Sequence, residues 1–511
     1  MKKYLSIILL VTSIVIVQSC REDFTTIPST ITDLRFSKDT VFLDTVFTNI
    51  GSATYNLKVY NKSDEDIHIP SIYLEDNNSG YRLNVDGRPG KSFSDVTILA
   101  NDSIFVFIET TQDAQNNGDL LYVDRIIFDN GARQDDVDLV TLVKDAHFLY
   151  PAKDANGVIE TIVFGVNGDG EEIRAEGFYL SGSETWTADK PYVIYGYCAV
   201  PENATLTIDP GAEIHFHDNS GLVIEEDATL KVNGELDNKV SFKGDKLGHE
   251  YENIPGQWST IWLRAGSVDN EIHHSVIKNA ITGILCDSIG SPTDPTLRIS
   301  NTELYNFSNH GILGRETNIE GENVVLNNAG FAALACTVGG TYNFRHCTIA
   351  NYWQGDRRDY PSLLINNFYS YQQDGSEIIE TRPLHAANFN NCIIDGNNNI
   401  ELIVDKLDLS GDIFNFRIKN SLIKFNDVSG QFDGIPEYDF DDPSLYPNKF
   451  LNGVVDFKNT DLNEMIIGDN SDANGWGDTF EASLAPFDIL NMDRTSSPDA
   501  GAYQHITFPE E

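Results

Sequence analysis

From about residue 190 onward the apolar residues come in short alternating runs at a nearly even interval. Thr205-Leu206-Thr207-Ile208, Glu213-Ile214-His215-Phe216, Gly221-Leu222-Val223-Ile224, Thr229-Leu230-Lys231-Val232 and Lys239-Val240-Ser241-Phe242 follow one another, cut by Gly, Asn or Asp. Alternation over four or five residues between turn formers reads as strands. Leu206 and Leu230 are 24 positions apart. Downstream, Ile277, Leu304, Leu326 and Ile349 are each followed two places later by Asn, and they stand 27, 22 and 23 apart. The run Asn343-Phe344-Arg345-His346-Cys347-Thr348-Ile349 returns as Asn388-Phe389-Asn390-Asn391-Cys392-Ile393-Ile394, 45 residues on, an interval of two periods. Ser421-Leu422-Ile423 follows after 29 more.

A fixed period of this size means a repeat architecture. Short strands at such a period have a simple solution. The chain winds as a coil of about three strands per turn, equivalent strands pair in parallel, and inward apolar residues stack about 4.8 Å apart along the axis. Asn recurs where each strand bends; it tolerates the left-handed conformation and can bond its amide to the next turn, building a ladder. The expectation is an all-β chain with a right-handed parallel β-helix over residues 191–505, of roughly ten or more coils. A leucine-rich repeat would need a Leu-x-x-Leu-x-Leu signature, which is absent, and a propeller would need antiparallel blades of about 40 residues.

Upstream the rhythm differs. Strand-like runs fall at 40–47, 55–60, 67–74, 81–85, 103–108, 124–128 and 137–143. Short alternating strands without a helical period predict an immunoglobulin-like β-sandwich over residues 36–150. Residues 151–190 read as a connecting segment, and within it Asn167-Gly168-Asp169-Gly170-Glu171-Glu172 reads as a solvated hairpin turn, since it lacks the ligand spacing of an EF-hand.

Lys2 and Lys3 precede an apolar stretch at 4–17, too short to span a bilayer comfortably, which predicts a signal peptide at 1–19. Val17-Gln18-Ser19-Cys20 resembles a bacterial lipobox, although Val17 and Gln18 depart from the commonest residues. The resemblance implies acylation of Cys20, hence membrane attachment through a lipid anchor, with residues 20–35 as a tether. Arg21-Glu22-Asp23 resembles the surface-export signal of Bacteroidetes lipoproteins. It implies an outer-membrane lipoprotein facing outward, with the periplasmic face left open.

Acidic residues number 78 against 35 basic, a net charge of −43. That excludes a nucleic-acid partner held by phosphate neutralisation. It disfavours polyanionic polysaccharides unless a local basic cleft offsets the repulsion. Besides Cys20 the cysteines are Cys198, Cys286, Cys336, Cys347 and Cys392. An odd, scattered set without CxxC spacing makes neither a disulfide framework nor a zinc site.

Pro255-Gly256-Gln257-Trp258-Ser259-Thr260-Ile261-Trp262-Leu263 and Pro498-Asp499-Ala500-Gly501-Ala502-Tyr503 resemble an early turn and a closing motif of right-handed parallel β-helix repeat lipoproteins of the Bacteroidetes. With the lipobox, the resemblance spans nearly the whole chain. It implies the fold and little about activity, because the same fold carries pectate lyases, polygalacturonases, chondroitinase-like lyases and non-catalytic adhesins.

Polygalacturonase-type hydrolysis needs clustered carboxylates. The echoes of that family's motifs, Asn309-His310-Gly311, Arg417-Ile418-Lys419, Asp441-Asp442 and Asn459-Thr460-Asp461, stand in scrambled order. Lyase chemistry needs a base beside a uronate carboxylate and a cation to stabilise the enolate. The densest basic and aromatic stretch, residues 342–358, offers Arg345 and His346 as catalytic candidates, with His310 a third. Tyr342, Trp353, Arg357 and Arg358 are the candidate sugar-binding residues, by ring stacking and carboxylate pairing. Glu437, Asp439, Asp441 and Asp442 form an oxygen-rich group that would suit calcium, the one cofactor considered. The expected function is a lipid-anchored envelope protein whose β-helix binds carbohydrate or acts as a scaffold without catalysis. The alternatives are a polysaccharide lyase or glycoside hydrolase acting near residues 342–358, and a structural or adhesive stalk.

Overall fold

The computed structural model describes residues 27–28, 34–113, 121–129, 133–288, 294–373, 376–409, 411 and 413–509. Cys20, the signal peptide and nearly all of the tether lie outside them. The chain is all-β and divides into two compact units at Lys144/Asp145.

In the first unit, Thr40–Phe47, Ile67–Leu74, Ser92–Ile98, Leu121–Asp129 and Gln134–Lys144 build one sheet, joined by Ile27–Pro28. Leu34–Phe36, Tyr55–Asn61, Tyr81–Val85, Arg88–Gly90 and Ser103–Thr110 build the other. Alternation decides which side is apolar. In Ser103–Thr110, Ile104, Val106 and Ile108 are buried while Phe105 and Phe107 face out. Leu57, Val59 and Val106 of one sheet share a core with Ile69, Ile72, Ile126 and Leu139 of the other. Ser92–Ile98 is a strand that its Ser and Asp content hides from a hydrophobic reading.

The second unit winds. Its 26-stranded sheet pairs strands in parallel with those one turn away, in three in-register sets. One set aligns Val232, Ile272, Ile299, Gly321, Phe344, Phe389 and Ile418. A second aligns Ile277, Leu304, Leu326, Ile349, Ile394 and Ile423, each no more than 1% exposed. A third aligns Leu222, Ile261, Ile284, Ile312, Leu334, Leu363 and Leu402. The apolar column expected from the Asn-spaced residues is therefore present. Phe344 and Phe389 stack with ring centroids 5.5 Å apart and planes 6° from parallel.

Two sequence expectations are corrected. Phe344 pairs directly with Phe389, so the 45-residue interval is one turn, not two. It is lengthened by the hairpin Phe368–Gln373/Ser376–Thr381 and by a loop at 352–361. The segment 151–190 is not a connector. Its strand Glu172–Tyr179 pairs with Tyr197–Val200, and Glu184–Trp186 pairs with Thr205–Ile208, so the coil already runs there.

The corners are held by side-chain amides. Asn279, Asn306 and Asn328 adopt φ of 69°, 63° and 60°. Asn306 donates to Asn279 at 3.2 Å and Asn328 donates to Asn306 at 2.8 Å. A second corner column holds His274, Asn301, Asn323, His346, Asn391 and Asn420, all at positive φ, with side-chain rungs joining Asn301 to His274, Asn323 to Asn301 and Asn391 to His346. These residue types visit that region with least penalty.

Residues beyond the last coil return along the outer side of the second set. Met465, Ile489, Ala502 and Tyr503 pack on Tyr305, Val325 and Ala350, and the buried Arg494 donates to Asn323 at 2.8 Å. The segment 427–446 closes the end of the coil. Phe432, Tyr438 and Phe440 cluster on Phe425 and Tyr446. Tyr438 Oη bonds Val404, and the Leu445 carbonyl accepts from Ile418 N–H, so the last strands keep their backbone partners.

Candidate functional site

Strand alternation pulls the 342–358 stretch apart. On Leu334–Arg345, Tyr342 and Phe344 point into the core, while Asn343 and Arg345 point out. Tyr342 is fully buried and its hydroxyl donates to the Thr337 carbonyl at 3.3 Å. Burial among apolar neighbours pushes its phenol well above the usual range. It is therefore a core residue and no sugar ligand. His346 is also fully buried, a rung of the corner ladder whose Nε2 accepts from Asn391 Nδ2 at 2.9 Å. Burial holds it neutral, which removes it from any acid–base role at a surface. His310 lies in a different turn, edge-on to Phe331, and burial lowers its pKa to about 4. The structure does not bring the two histidines together.

Arg358 is another interior group. Its guanidinium and the Glu401 carboxylate are 1% and 0% exposed and 2.7 Å apart. Glu401 also accepts from Ser362 N–H and Oγ at 2.8 Å and from Asn398 N–H at 2.7 Å, and Arg358 donates to the Asn351 carbonyl and Asn397 Oδ1 at 2.9 Å. The pair fixes the floor of a cleft of about 560 Å³ lined by Trp353, Asp356, Arg357, Asn397, Asn398 and Ile403. Trp353 is half-buried there, and its carbonyl accepts from Asn397 Nδ2 at 2.9 Å. Arg357 is well exposed and pairs with Asp359 at 2.8 Å. Of the four expected sugar ligands, Trp353 and Arg357 thus line this cleft openly, Arg358 supports it from beneath, and Tyr342 is elsewhere.

Arg345 faces a separate groove of about 390 Å³ on the outer side of the first set, with His273, Arg298, Ser300, Glu322 and Asn390. Sequence reading missed Glu322 and His273. Both belong to one outward column, because the register aligns His273, Ser300, Glu322, Arg345 and Asn390. The polar position next to each apolar column residue was the available signal. A further pocket of about 630 Å³, lined by Tyr150, Tyr195, Tyr197 and His217, was also missed. There Asp245 bonds His217 Nδ1 at 2.7 Å and raises its pKa.

The acids proposed for calcium do not converge. Glu437 faces Lys406 at 3.9 Å, Asp441 faces Lys449 at 3.2 Å, and Asp439 and Asp442 accept backbone N–H groups of Asp441 and Ser444. Among the described residues no group of three or more His, Cys, Asp or Glu side chains is placed to hold a metal ion. Asn309, Arg417, Asp441 and Asp461 stand on separate turns and loops of the coil and its tail.

No family model matches the chain, and no curated protein matches it. Solved structures do. A PapD-like domain of human CEP192 is 12% identical, with a TM-score of 0.16, covering 26% of this chain and 97% of that one. A family 123 glycoside hydrolase from Clostridium perfringens is 11% identical, with a TM-score of 0.15, covering 22% of this chain and 26% of that one. Both scores are too low to speak for the fold or the chemistry of either unit.

Proposed function

We propose that the chain is a lipid-anchored protein of the outer membrane, held outward by acylated Cys20. In this reading its second unit is a right-handed parallel β-helix that binds carbohydrate without cleaving it, and its first unit is an immunoglobulin-like sandwich acting as spacer. The cleft at Trp353 carries the binding reading. An indole on the rim suits a sugar face, amides of Asn397 and Asn398 suit hydroxyls, and a buried ion pair keeps the floor rigid. Non-catalysis fits the same cleft: Arg357 is tied to Asp359, and Arg358 to Glu401.

A glycan array probed with the ectodomain and with Trp353→Ala tests this. The parent should bind a defined set of glycans and the variant should lose it. Identical profiles would remove the cleft from consideration, and release of unsaturated products or reducing ends from a polysaccharide panel would replace the binder with an enzyme. For the anchor, Cys20→Ala should abolish lipid labelling and membrane retention.

A further inference from the structure

The outer side of the first set carries charges that mostly neutralise one another along the column. Lys231 pairs with Asp269 at 2.8 Å and Glu271 at 3.1 Å; Arg298 reaches Asp269 at 3.4 Å and Glu320 at 3.5 Å; Lys419 lies 3.2 Å from Asp478. Two neighbours break the pattern. Among the described residues neither Arg345 nor Glu322 has a hydrogen bond or ion pair through its side chain, although the register sets them side by side. Arg345 thus stands in this groove with no acid at hydrogen-bond distance, in a chain of charge −43.

We propose that this groove is a second carbohydrate site, one that takes a glycan bearing carboxylates, with Arg345 holding a uronate carboxylate and Glu322, Asn390 and Ser300 meeting hydroxyls beside it. The guanidinium fork matches a planar carboxylate. Of the cations on this face, Lys231, Arg298 and Lys419 are engaged by acids, and Arg417 lies beyond the groove, so the groove itself offers one open positive centre and would hold a phosphate cluster poorly. The companions favour a glycan over an acidic peptide. Ser300 and Asn390 flank Glu322 and Arg345 in one column, with Asn343 beside Arg345, as neutral donors and acceptors on turns spaced at the ~4.8 Å step of parallel strands. That step presents polar groups to a chain of hydroxyls and offers no apolar pockets for peptide side chains. Burial raises the Glu322 pKa, only partly offset by Arg345 and Arg494.

The site is independent of the Trp353 cleft, and so is its test. Titration calorimetry would compare galacturonate and glucuronate oligomers, their methyl esters and a poly-glutamate peptide against the ectodomain. Arg345→Gln, Glu322→Gln and Trp353→Ala would be run beside the parent. Uronate oligomers should bind the parent and lose about 10-fold or more in Arg345→Gln, the scale of a lost charge-assisted hydrogen bond. Methyl esters should fail, Glu322→Gln should bind at least as tightly as the parent because a repelling charge is gone, and Trp353→Ala should match the parent. Because both groove side chains point outward, unchanged thermal unfolding should accompany each variant. Equal binding by parent and Arg345→Gln, equal binding of esters and acids, binding of poly-glutamate alone, or no uronate binding would overturn the proposal.

Discussion

Arg358 and Glu401 show what a buried ion pair demands. Removing each charge from water costs several kcal/mol, and the pair is tolerable only when remaining protons and lone pairs are used. Here Ser362, Asn397 and Asn398 use nearly all of them. Glu401→Gln should therefore cost about 3–5 kcal/mol in urea unfolding, because it strands a buried guanidinium. Histidines partly or wholly withdrawn from water set a pH dependence. His310, His274 and His346 all have native pKa values below that of the unfolded side chain, with His310 lowered from 6.5 to about 4. For a depressed histidine the unfolded state takes up the proton first. Stability is thus intact above pH 6.5 and declines as pH falls toward 4, and His310→Phe should flatten part of that decline in thermal melts at stepped pH. These residues also mark the limit of sequence reading at this scale. The basic and aromatic density at 342–358 was real, but density carries no direction. The alternation Tyr342-Asn343-Phe344-Arg345 did, and it separates core from surface within one short strand.

At the scale of the strand and its corner, the repeat was legible because like side chains sit on like. Ile277, Leu304, Leu326 and Ile349 form the column that their spacing implies. The asparagine two places later forms the ladder for a separate reason, its tolerance of positive φ. Asn306 sits mid-ladder, donating to one neighbour and accepting from the next. Asn306→Ala should destabilise by about 2–4 kcal/mol, combining stranded buried amides with backbone strain. Asn306→Gly, which relieves only the strain, should recover about 1 kcal/mol of that in the same urea titration. What stayed illegible was the inserted loop and hairpin between Ile349 and Leu384. A hairpin whose strands pair only with each other, and a loop held by side chains alone, leave the strand pairing of the coil intact on either side, so nothing in the spacing distinguishes one long turn from two ordinary ones. The connecting segment failed similarly. Its strands are dilute in apolar residues because Glu172–Tyr179 has an exposed first half.

At the scale of the whole molecule, charge dominates. A net −43 repels itself, and exposed acids are screened within about 10 Å at 0.1 M salt. The unfolding midpoint should rise when sodium chloride is added from millimolar to about 0.1 M, and a calorimetric melt series would read it. No change would mean that the local pairs along the coil already cancel the excess. The same arithmetic frames the two proposed glycan sites. On these proposals a neutral sugar meets the Trp353 cleft without opposition, whereas a uronate is drawn to the groove where Arg345 has no acid at hydrogen-bond distance.

The aromatic segment at 427–446 has a meaning beyond its own packing. A ladder of identical rungs has no built-in last rung: each exposed edge is a template for the next, including one from another copy. Val404 and Ile418 would offer such an edge, yet Tyr438 and Leu445 occupy it. The segment thus gives the stack a last rung, and a strand from another copy finds the backbone groups of Val404 and Ile418 already taken.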